Sequence, residues 1–404
     1  MSWKDLLGLT PTPKDLARAL IDRAPEPVGG RWHYDPEQNQ IRGDHGITIN
    51  LANIHNEYVR AQRNTRPALL EKYLALMLPE EPKIPKLWSL ARQQLHVVVR
   101  SRYDYVIASA PDAPGGPQFN PSLQMPWIGD LCLRLVYDLG PSVILVSRSY
   151  LEDWGQSEDA VREQGLRNLA GLETPRWALL AEGVYKLESR VSYEESLLLV
   201  ERVADRVPIQ GPAVFIPVNR GVLMACAATA TGSLNWMLDA ARRSLLENPW
   251  PMGSTLLHKT DGAWHEFVAT DSAARKVEAL RKINIAQVYD GQKSVLQQYC
   301  KERQDDVFVA TFQLKQAKDD PDDLQSFGTW TAGVPTLLPR TDIVAFVRAR
   351  EPEQHESALV PWEQAVEVCG HRMHATAWDP PRFRVNDFPS ADEWQRLLLL
   401  GRHT

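Results

Sequence analysis

The densest group of metal-ligating residue types lies near the C-terminal end, where Cys369, His371 and His374 form a CxHxxH pattern. Zinc in proteins is bound by thiolate and imidazole donors, four in a structural site or three with a water molecule in a catalytic one. The pattern supplies no fourth donor, and Gly370, which we expect to end a helix, would direct the three side chains apart. Ordinary packing is the favoured interpretation, with a metal site as the alternative.

Arg340 and Asp342 are a second candidate site. They are two residues apart, so on a strand they would share one face and could bind a polar ligand. Pro335 and Pro339 flank a turn here, and charges at the start of a strand commonly mark a solvated edge. We favour an ordinary hairpin in which Arg340 pairs with a nearby carboxylate, a contact worth under ~1 kcal/mol if exposed.

Arg100 and Arg102 follow three valines and could present two guanidinium groups to an anion, because their forked donors suit carboxylate and phosphate. The sequence has no GxxxxGK motif, no GxGxxG motif after a strand and no HExxH motif. The GxSxG motif of many hydrolases is also missing. We therefore expect the two arginines at a solvated helix end.

Tryptophan is the fourth unusual feature, with 13 in the chain, among them Trp330, Trp362, Trp378 and Trp394 in the last third. Tryptophan is enriched at binding hot spots, although most large aromatic rings pack in the core. We expect most of these rings to be buried. Any that remain at the surface would form a docking face, with Trp330, Trp362 and Trp378 as its candidates.

The composition is that of a folded globular protein. Hydrophobic residues make up 44% and charged residues 24% of the 404 residues, and the length suggests two or three domains. A net charge of -6 without basic runs argues against nucleic-acid binding. Four scattered cysteines favour a reducing compartment, and no apolar stretch approaches the ~20 residues of a membrane span. We expect a cytoplasmic protein without membrane association.

Local patterns predict a mainly helical part in residues 1–110. Thr12 can cap a first helix, and strands or a hairpin in RWHYDPEQNQIRGDHGITINL lead into a helix in ANIHNEYVRAQ. The segments RPALLEKYLALML and KLWSLARQQLHVVVRSR predict two further helices. A turn-rich segment, PDAPGGPQFNP at residues 111–121, then marks a break in the organisation of the chain.

Strands and helices mix in residues 111–270. Strand patterns in LCLRLVYDL, SVILVSRSYL and GVYKLES accompany one helix capped by Ser157 and another that begins with a Ser192–Glu195 capping box. The stretch Asn219-Arg220-Gly221 between two apolar runs predicts a hairpin.

The order of these middle segments also matches a known pattern. It runs LRLVYDLGPSVILVSRSYLEDWG, SEDAVREQGLRNL, GVYKLES, a helix ending in VADRV, AVFIPVNRGVLMAC and a helix before GAWHEF, with ITINLANIHNEY ahead of it. This order resembles the YtpQ-like family of uncharacterised bacterial proteins over roughly residues 15–268. The family implies no established activity, cofactor or catalytic residue, so no functional residue is carried over.

Residues 271–404 would then be an additional C-terminal lobe. We expect a long helix, interrupted near Asp290 and Gly291, to link it to the preceding part, with strands, the loop DPPRFRVNDFP and a final helix capped by Ser390 and Glu393 after it. Because strands and helices do not alternate regularly, the sequence predicts an α+β fold with mixed sheets and two lobes.

The favoured function is a cytoplasmic, cofactor-free module that binds another protein through its aromatic C-terminal lobe. The alternative is a hydrolase or other enzyme, with or without a metal, whose site lies in the cleft between the lobes. That site would use His371, Cys369 or Arg340 with Asp342.

Overall fold

The structure is a computed structural model of the 404-residue chain. It describes residues 11–24, 31–36, 40–43, 48–74, 77, 84–103, 123–139, 143–172, 175–189, 193–248, 250–351 and 354–401. The turn-rich segment predicted at 111–121 and Ser192 of the predicted capping box lie outside these residues.

The described part contains eleven α-helices and 21 strands. The helices are α1 (Pro13–Ile21), α2 (Leu51–Arg60), α3 (Arg66–Leu74), α4 (Trp88–Ala91), α5 (Arg148–Trp154), α6 (Glu158–Gly171), α7 (Glu201–Ala204), α8 (Thr231–Glu247), α9 (Asp271–Glu302), α10 (Trp362–Cys369) and α11 (Ala391–Leu400). The first thirteen strands are β1 (Trp32–Asp35), β2 (Gln40–Gly43), β3 (Thr48–Asn50), β4 (Leu95–Ser101), β5 (Gln124–Pro126), β6 (Leu131–Asp138), β7 (Val143–Leu145), β8 (Arg176–Ala181), β9 (Val184–Glu188), β10 (Ala213–Asn219), β11 (Val222–Ala227), β12 (Leu257–Thr260) and β13 (Ala263–Glu266). The remaining strands are β14 (Phe308–Val309), β15 (Gln313–Gln316), β16 (Leu324–Thr331), β17 (Thr336–Pro339), β18 (Ile343–Glu351), β19 (Gln354–Pro361), β20 (His374–Ala375) and β21 (Arg382–Val385).

The N-terminal part combines α1, α2 and α3 with the antiparallel sheet β1–β2–β3. Thr12 caps α1 as predicted, because its side chain accepts a hydrogen bond from the Asp15 backbone amide and the Asp15 carboxylate accepts one from the Thr12 backbone amide. Leu16, Tyr58 and Leu70 are among the residues of its own small core.

The central lobe, residues 84–266, contains two sheets that share a core. The six-stranded antiparallel sheet has the order β13-β12-β10-β11-β9-β8, and β4, β6, β5 and β7 form the other sheet. Val98, Leu131, Phe215 and Leu223 from both sheets meet in one apolar cluster. The predicted hairpin at Asn219-Arg220-Gly221 joins β10 to β11.

Strand β4 corrects the predicted helix in KLWSLARQQLHVVVRSR and also bears on the predicted break after residue 110. The segment KLWSLARQQLHVVVRSR is helical only in α4, and from Leu95 it becomes a strand that is buried throughout. The β-branched valines favour this strand, and pairing with β6 fixes it. Because β4 lies before residue 110 and β6 after it, the sheet joins two of the predicted parts of the chain.

The C-terminal lobe, residues 308–401, is built from two mixed four-stranded sheets, β14-β17-β21-β20 and β15-β16-β18-β19, with α10 and α11. Trp330, Phe346 and Trp394 lie in its core. Ser390 and Glu393 form the predicted capping box of α11. The segment DPPRFRV, expected as a loop, contains strand β21.

Helix α9 packs against both lobes, and it is continuous over 32 residues rather than interrupted near Asp290 and Gly291. Val277 and Leu280 in its first half pack in the core of the central lobe. Leu296 in its second half packs with Leu337 of the C-terminal lobe. Packing on both sides outweighs the cost of one glycine, roughly 1 kcal/mol.

The fold is therefore α+β with mixed and antiparallel sheets, as the sequence predicts. None of the described helices combines the length and the apolar character that crossing a bilayer would require.

Candidate ligand-binding cleft between the lobes

A cleft of about 560 Å³ lies between the central lobe, α9 and the C-terminal lobe. On α9 its wall includes Glu278, Arg281, Lys282, Ile285 and Tyr289, which recur at three- or four-residue intervals and so share one helix face. The central lobe contributes Arg102, Tyr103, Asp130, Ser254 and Thr255, and the C-terminal lobe contributes Phe312, Arg340, Asp342, Pro380 and Pro381.

Asp130 fixes the central-lobe side of the cleft to α9. Its Oδ2 accepts hydrogen bonds from the Ser254 amide at 2.8 Å, the Ser254 hydroxyl at 3.3 Å and Asn284 Nδ2 at 3.1 Å. The Thr255 hydroxyl donates to Oδ1. A Cβ atom at Gly253 would collide with this carboxylate, so the close approach requires glycine there.

Lys282 and Asp342 fix α9 to the C-terminal lobe. Lys282 Nζ lies 2.8 Å from Asp342 Oδ2 and donates to the Leu324 carbonyl at 2.7 Å. Ser326 holds Asp342 from the other side, because its amide donates to the carboxylate at 2.8 Å and its hydroxyl accepts from the Asp342 amide at 2.7 Å. Burial alone would raise the pKa of Asp342, but the hydrogen bonds from Lys282 and Ser326 outweigh it and lower the pKa.

Tyr289 forms the far end of the α9 wall. Its hydroxyl donates to the Pro381 carbonyl at 2.8 Å and accepts from the Arg340 amide at 3.2 Å. Its ring stacks on Phe312, with centroids 4.9 Å apart and planes at 15°. Burial raises the pKa of Tyr289 to about 12, so the hydroxyl is neutral and can donate at physiological pH.

Behind this end lies Arg382, whose side chain is completely buried. Its guanidinium donates to four neutral acceptors: Gln292 Oε1 at 2.6 Å and the carbonyls of Ala310 at 2.8 Å, Leu337 at 3.0 Å and Tyr289 at 3.3 Å. No carboxylate of the described residues pairs with it. Burial lowers its pKa to about 10, so the group still carries its charge at pH 7.

Two exposed ion pairs lie at the rim. Arg102 Nη2 is 2.7 Å from Asp379 Oδ2, which links the central lobe to the C-terminal lobe. Arg340 Nη2 is 3.4 Å from Glu363 Oε1, and the two side chains are 60% and 81% exposed. Arg340 thus pairs with a nearby carboxylate as predicted, and the contact is long, solvated and weak.

The structure brings Arg340, Asp342 and Arg102 to one cleft, but the predicted hairpin is wrong. Strand β16 is parallel to β18, and β17 belongs to the other sheet of the lobe. Arg340 and Asp342 therefore lie in a connection between sheets rather than on one strand face. Their side chains contact different elements, Glu363 of α10 and Lys282 of α9.

Arg100 lies apart from the cleft, buried on strand β4 rather than at a solvated helix end. Its Nη1 is 2.7 Å from Oε1 of Glu195, a completely buried carboxylate. The other Glu195 oxygen accepts the Gly221 amide at 2.8 Å. Arg100 is committed to this internal pair, so it does not present a free anion site.

The side chains of Cys369, His371 and His374 do not converge. Cys369 is buried and donates to the Ala365 carbonyl at 3.1 Å, whereas His371 is exposed and lies 3.2 Å from Glu393. His374 is exposed on β20. Among the described residues no group of three or more histidine, cysteine, aspartate or glutamate side chains is placed to hold a metal ion.

The three tryptophans considered for docking are in the interior. Trp330, Trp362 and Trp378 are 1%, 6% and 8% exposed, and all three pack in apolar clusters. Their rings stabilise the C-terminal lobe and leave no surface for a partner, so a docking face would have to be formed by other residues.

Sequence reasoning missed Arg382, Tyr289 and Asp130. Their partners are distant in the chain, and no local motif distinguishes an arginine in RFRV or an aspartate in a turn. The proline pair before Arg382 was the one usable signal, since Pro380 and Pro381 restrict the backbone that lines the cleft.

Comparisons of the chain with protein-family models, curated proteins and solved structures find no match. The resemblance to the YtpQ-like family therefore stays a prediction, and the cleft has to be interpreted from its own geometry.

Proposed function

We propose that this protein binds a small polar molecule in the cleft between its lobes and does so as a binding module rather than as a catalyst. The observation that carries the proposal is the cleft itself, which both lobes and α9 line with charged, hydroxyl and aromatic groups. Concave sites with a few fixed polar groups on a partly apolar wall are typical of small-molecule binding.

The hydrogen bonds of the two cleft carboxylates, Asp130 and Asp342, favour binding over catalysis. Asp130 accepts four hydrogen bonds, and Asp342 accepts from Lys282 and Ser326. A general base needs an oxygen lone pair directed at the proton that it removes. Four donors occupy the Asp130 carboxylate, and Asp342 uses Oδ2 to hold the C-terminal lobe on α9, so both groups suit the positioning of a site more than proton transfer.

The experiment is a thermal-shift screen of the purified full chain against pools of amino acids, organic acids, sugars and nucleotides, followed by calorimetry for any compound that raises the Tm. Ile285→Trp fills the cleft from α9, and Gln297→Trp adds the same ring at an exposed position of the same helix. We expect the compound to bind wild type and Gln297→Trp equally and Ile285→Trp at least tenfold more weakly. Equal binding to all three proteins would place the site elsewhere.

A protein-binding role is the second candidate, supported by a different feature. Strand β8 is an edge of the six-stranded sheet, where it pairs with β9 alone among the described strands, and Leu179 and Leu180 on it are 65% and 46% exposed. An edge with exposed apolar side chains can accept a strand from another chain. Co-purification read by mass spectrometry separates the two functions, since a stoichiometric polypeptide would favour docking and a small molecule would favour the cleft.

A further inference from the structure

The cleft differs in charge between its two ends. Glu278 and Tyr289 are 11 residues apart on α9, which places them about 16 Å apart along the helix axis. At the Glu278 end, Arg281 pairs with both Glu266 and Glu278. That end therefore has two carboxylates and one guanidinium, and the carboxylates already contact the cation. The Lys282–Asp342 pair, next along the wall, adds one charge of each sign.

The Tyr289 end contains more cations. Arg102, Arg340 and the buried Arg382 lie there, together with the carboxylates Asp130 and Asp379. The backbone amide of Arg340 bonds to Tyr289, and the charges of Arg382 and Asp379 both act on Tyr289. Three cations thus lie at or directly behind this end, against Asp130 of the cleft wall, the rim carboxylate of Asp379 and the outlying, 81% exposed Glu363.

Hydrogen-bonding capacity at this end is also unequal. The Asp130 carboxylate accepts from four donors, and Asp379 accepts from Arg102. A guanidinium has five N–H groups. Among the described residues, Arg102 and Arg340 each use one of them for a carboxylate, and the Arg340 contact is 3.4 Å long. Most N–H groups of these two arginines are therefore available to acceptors that a ligand brings.

Arg382 adds a long-range attraction. Its guanidinium is buried, and its hydrogen bonds go to neutral acceptors that leave its charge in place. Charges act more strongly through a protein interior than through solvent. The wall between Arg382 and the cleft is formed in part by Tyr289 and Pro381. An anion on the cleft side of that wall would be stabilised by this buried cation.

We propose that the Tyr289 end of the cleft binds an oxyanion of the ligand, a carboxylate or a phosphate group, between the guanidinium groups of Arg340 and Arg102. This inference rests on the proposed function, ligand binding in the same cleft. Guanidinium groups form paired hydrogen bonds with both kinds of oxyanion, so the geometry recognises their shared chemistry. Arg340 is the primary anchor, because its contact with Glu363 is longer and more exposed than that of Arg102 with Asp379.

The test measures the binding of three probes by thermal shift and calorimetry at constant ionic strength, because added salt alone screens exposed charges. The probes are inorganic phosphate, succinate and glucose, which represent phosphate, carboxylate and neutral ligands. We expect phosphate or succinate, but not glucose, to bind wild type, and the affinity to fall at least tenfold in Arg340→Gln. Arg340→Lys should restore part of it, and Arg167→Gln, at an exposed arginine of α6, should leave it unchanged.

The outcomes separate this inference from the proposed function. Equal anion affinity in wild type and Arg340→Gln, or no anion binding while neutral compounds from the screen bind in an Ile285-dependent manner, would overturn the oxyanion site and leave the cleft as a binding site. If no probe and no compound of the screen shows Ile285-dependent binding, both proposals fail. Phosphate binding without succinate binding identifies the oxyanion as a phosphate, and the reverse result identifies a carboxylate.

Discussion

Two buried arginines, one from each lobe, are held in different ways. In the central lobe, Arg100 on β4 meets the completely buried carboxylate of Glu195 at 2.7 Å. In the C-terminal lobe, Arg382 on β21 is just as deeply buried, but a side-chain amide and three backbone carbonyls surround it. One charge is cancelled inside its lobe, and the other is not.

This difference separates a structural site from a candidate functional one. A buried ion pair has its charges matched, and its stability depends on keeping both partners. A buried cation held by neutral groups satisfies its hydrogen bonds and keeps its charge, which then acts on whatever lies beside it. Arg100 thus serves the packing of the central lobe, whereas the charge of Arg382 is the one on which the proposed oxyanion site depends.

The strongest test of the comparison removes the charge of Glu195. In Glu195→Gln, Arg100 loses the carboxylate that it pairs with in the interior, and the Gly221 amide faces a weaker acceptor. Breaking one side of a buried pair typically costs about 3–5 kcal/mol, so we expect a fall of that size in the free energy of unfolding. Chemical denaturation at pH 7 measures it.

The matched control replaces both partners, as Arg100→Met with Glu195→Leu. Removing both charges avoids an unpaired ion, so this double variant should be more stable than Glu195→Gln. If the single variant loses under ~1 kcal/mol, the pair would be no stronger than an exposed one and the comparison would lose its first half.

Local patterns predicted the parts of this fold that local interactions determine. The capping residues Thr12 and Ser390 and the turn at Gly221, where φ is 76°, are examples, because a cap or a turn involves neighbours in the chain. Strand β4 was missed since LARQQL continues a helical pattern into the valines, and only pairing with β6 decides between the two structures.

The candidate site was predictable only in part, for the same physical reason. Arg340 and Asp342 were found because charges beside prolines stand out in an apolar segment. The contacts of these two residues were not predicted. They depend on the parallel pairing of β16 with β18, and the chain segment that carries Arg340 and Asp342 lies between those strands in the sequence. Arg382 was invisible, since its acceptors come from three separate elements that approach one another only in the folded lobe.

A smaller effect is expected when Arg382 is changed to lysine. Lysine keeps the charge but lacks the planar fork, so it leaves at least one of the four buried acceptors without a donor. We expect a loss of roughly 1–3 kcal/mol in the free energy of unfolding, less than that of Glu195→Gln. The same denaturation experiment measures it.

Arg384→Lys is the control on the same strand. Arg384 also forms two close contacts, with Asp305 at 2.7 and 2.8 Å, but at 38% exposure. Its change should cost under ~1 kcal/mol. If Arg382→Lys also loses under ~1 kcal/mol in the free energy of unfolding, water or rearranged side chains must satisfy the four buried acceptors. The contrast between the two arginines would then rest on Arg100 alone.

The smallest effect concerns a buried base on the same strand as Arg100. His96 is 6% exposed, its ring stacks on Tyr193 with centroids 5.4 Å apart, and neither ring nitrogen has a hydrogen-bond partner among the described residues. Burial lowers its pKa, and the charge of Asp138 only partly opposes this effect. Unlike Arg100, this base is buried in its neutral form.

The sign of the pH dependence follows from that lowered pKa. Well above pH ~6.5 His96 is neutral in both the folded and the unfolded chain, and as the pH falls the unfolded chain takes up the proton first. The free energy of unfolding of wild type should therefore fall relative to His96→Phe between pH 8 and pH 5, by at most ~1.4 kcal/mol per pH unit. Taking the difference between the two proteins cancels the titration of groups that they share. A constant difference would show that His96 can be protonated in place, and the interior of the central lobe would then tolerate an unmatched charge as the C-terminal lobe does at Arg382.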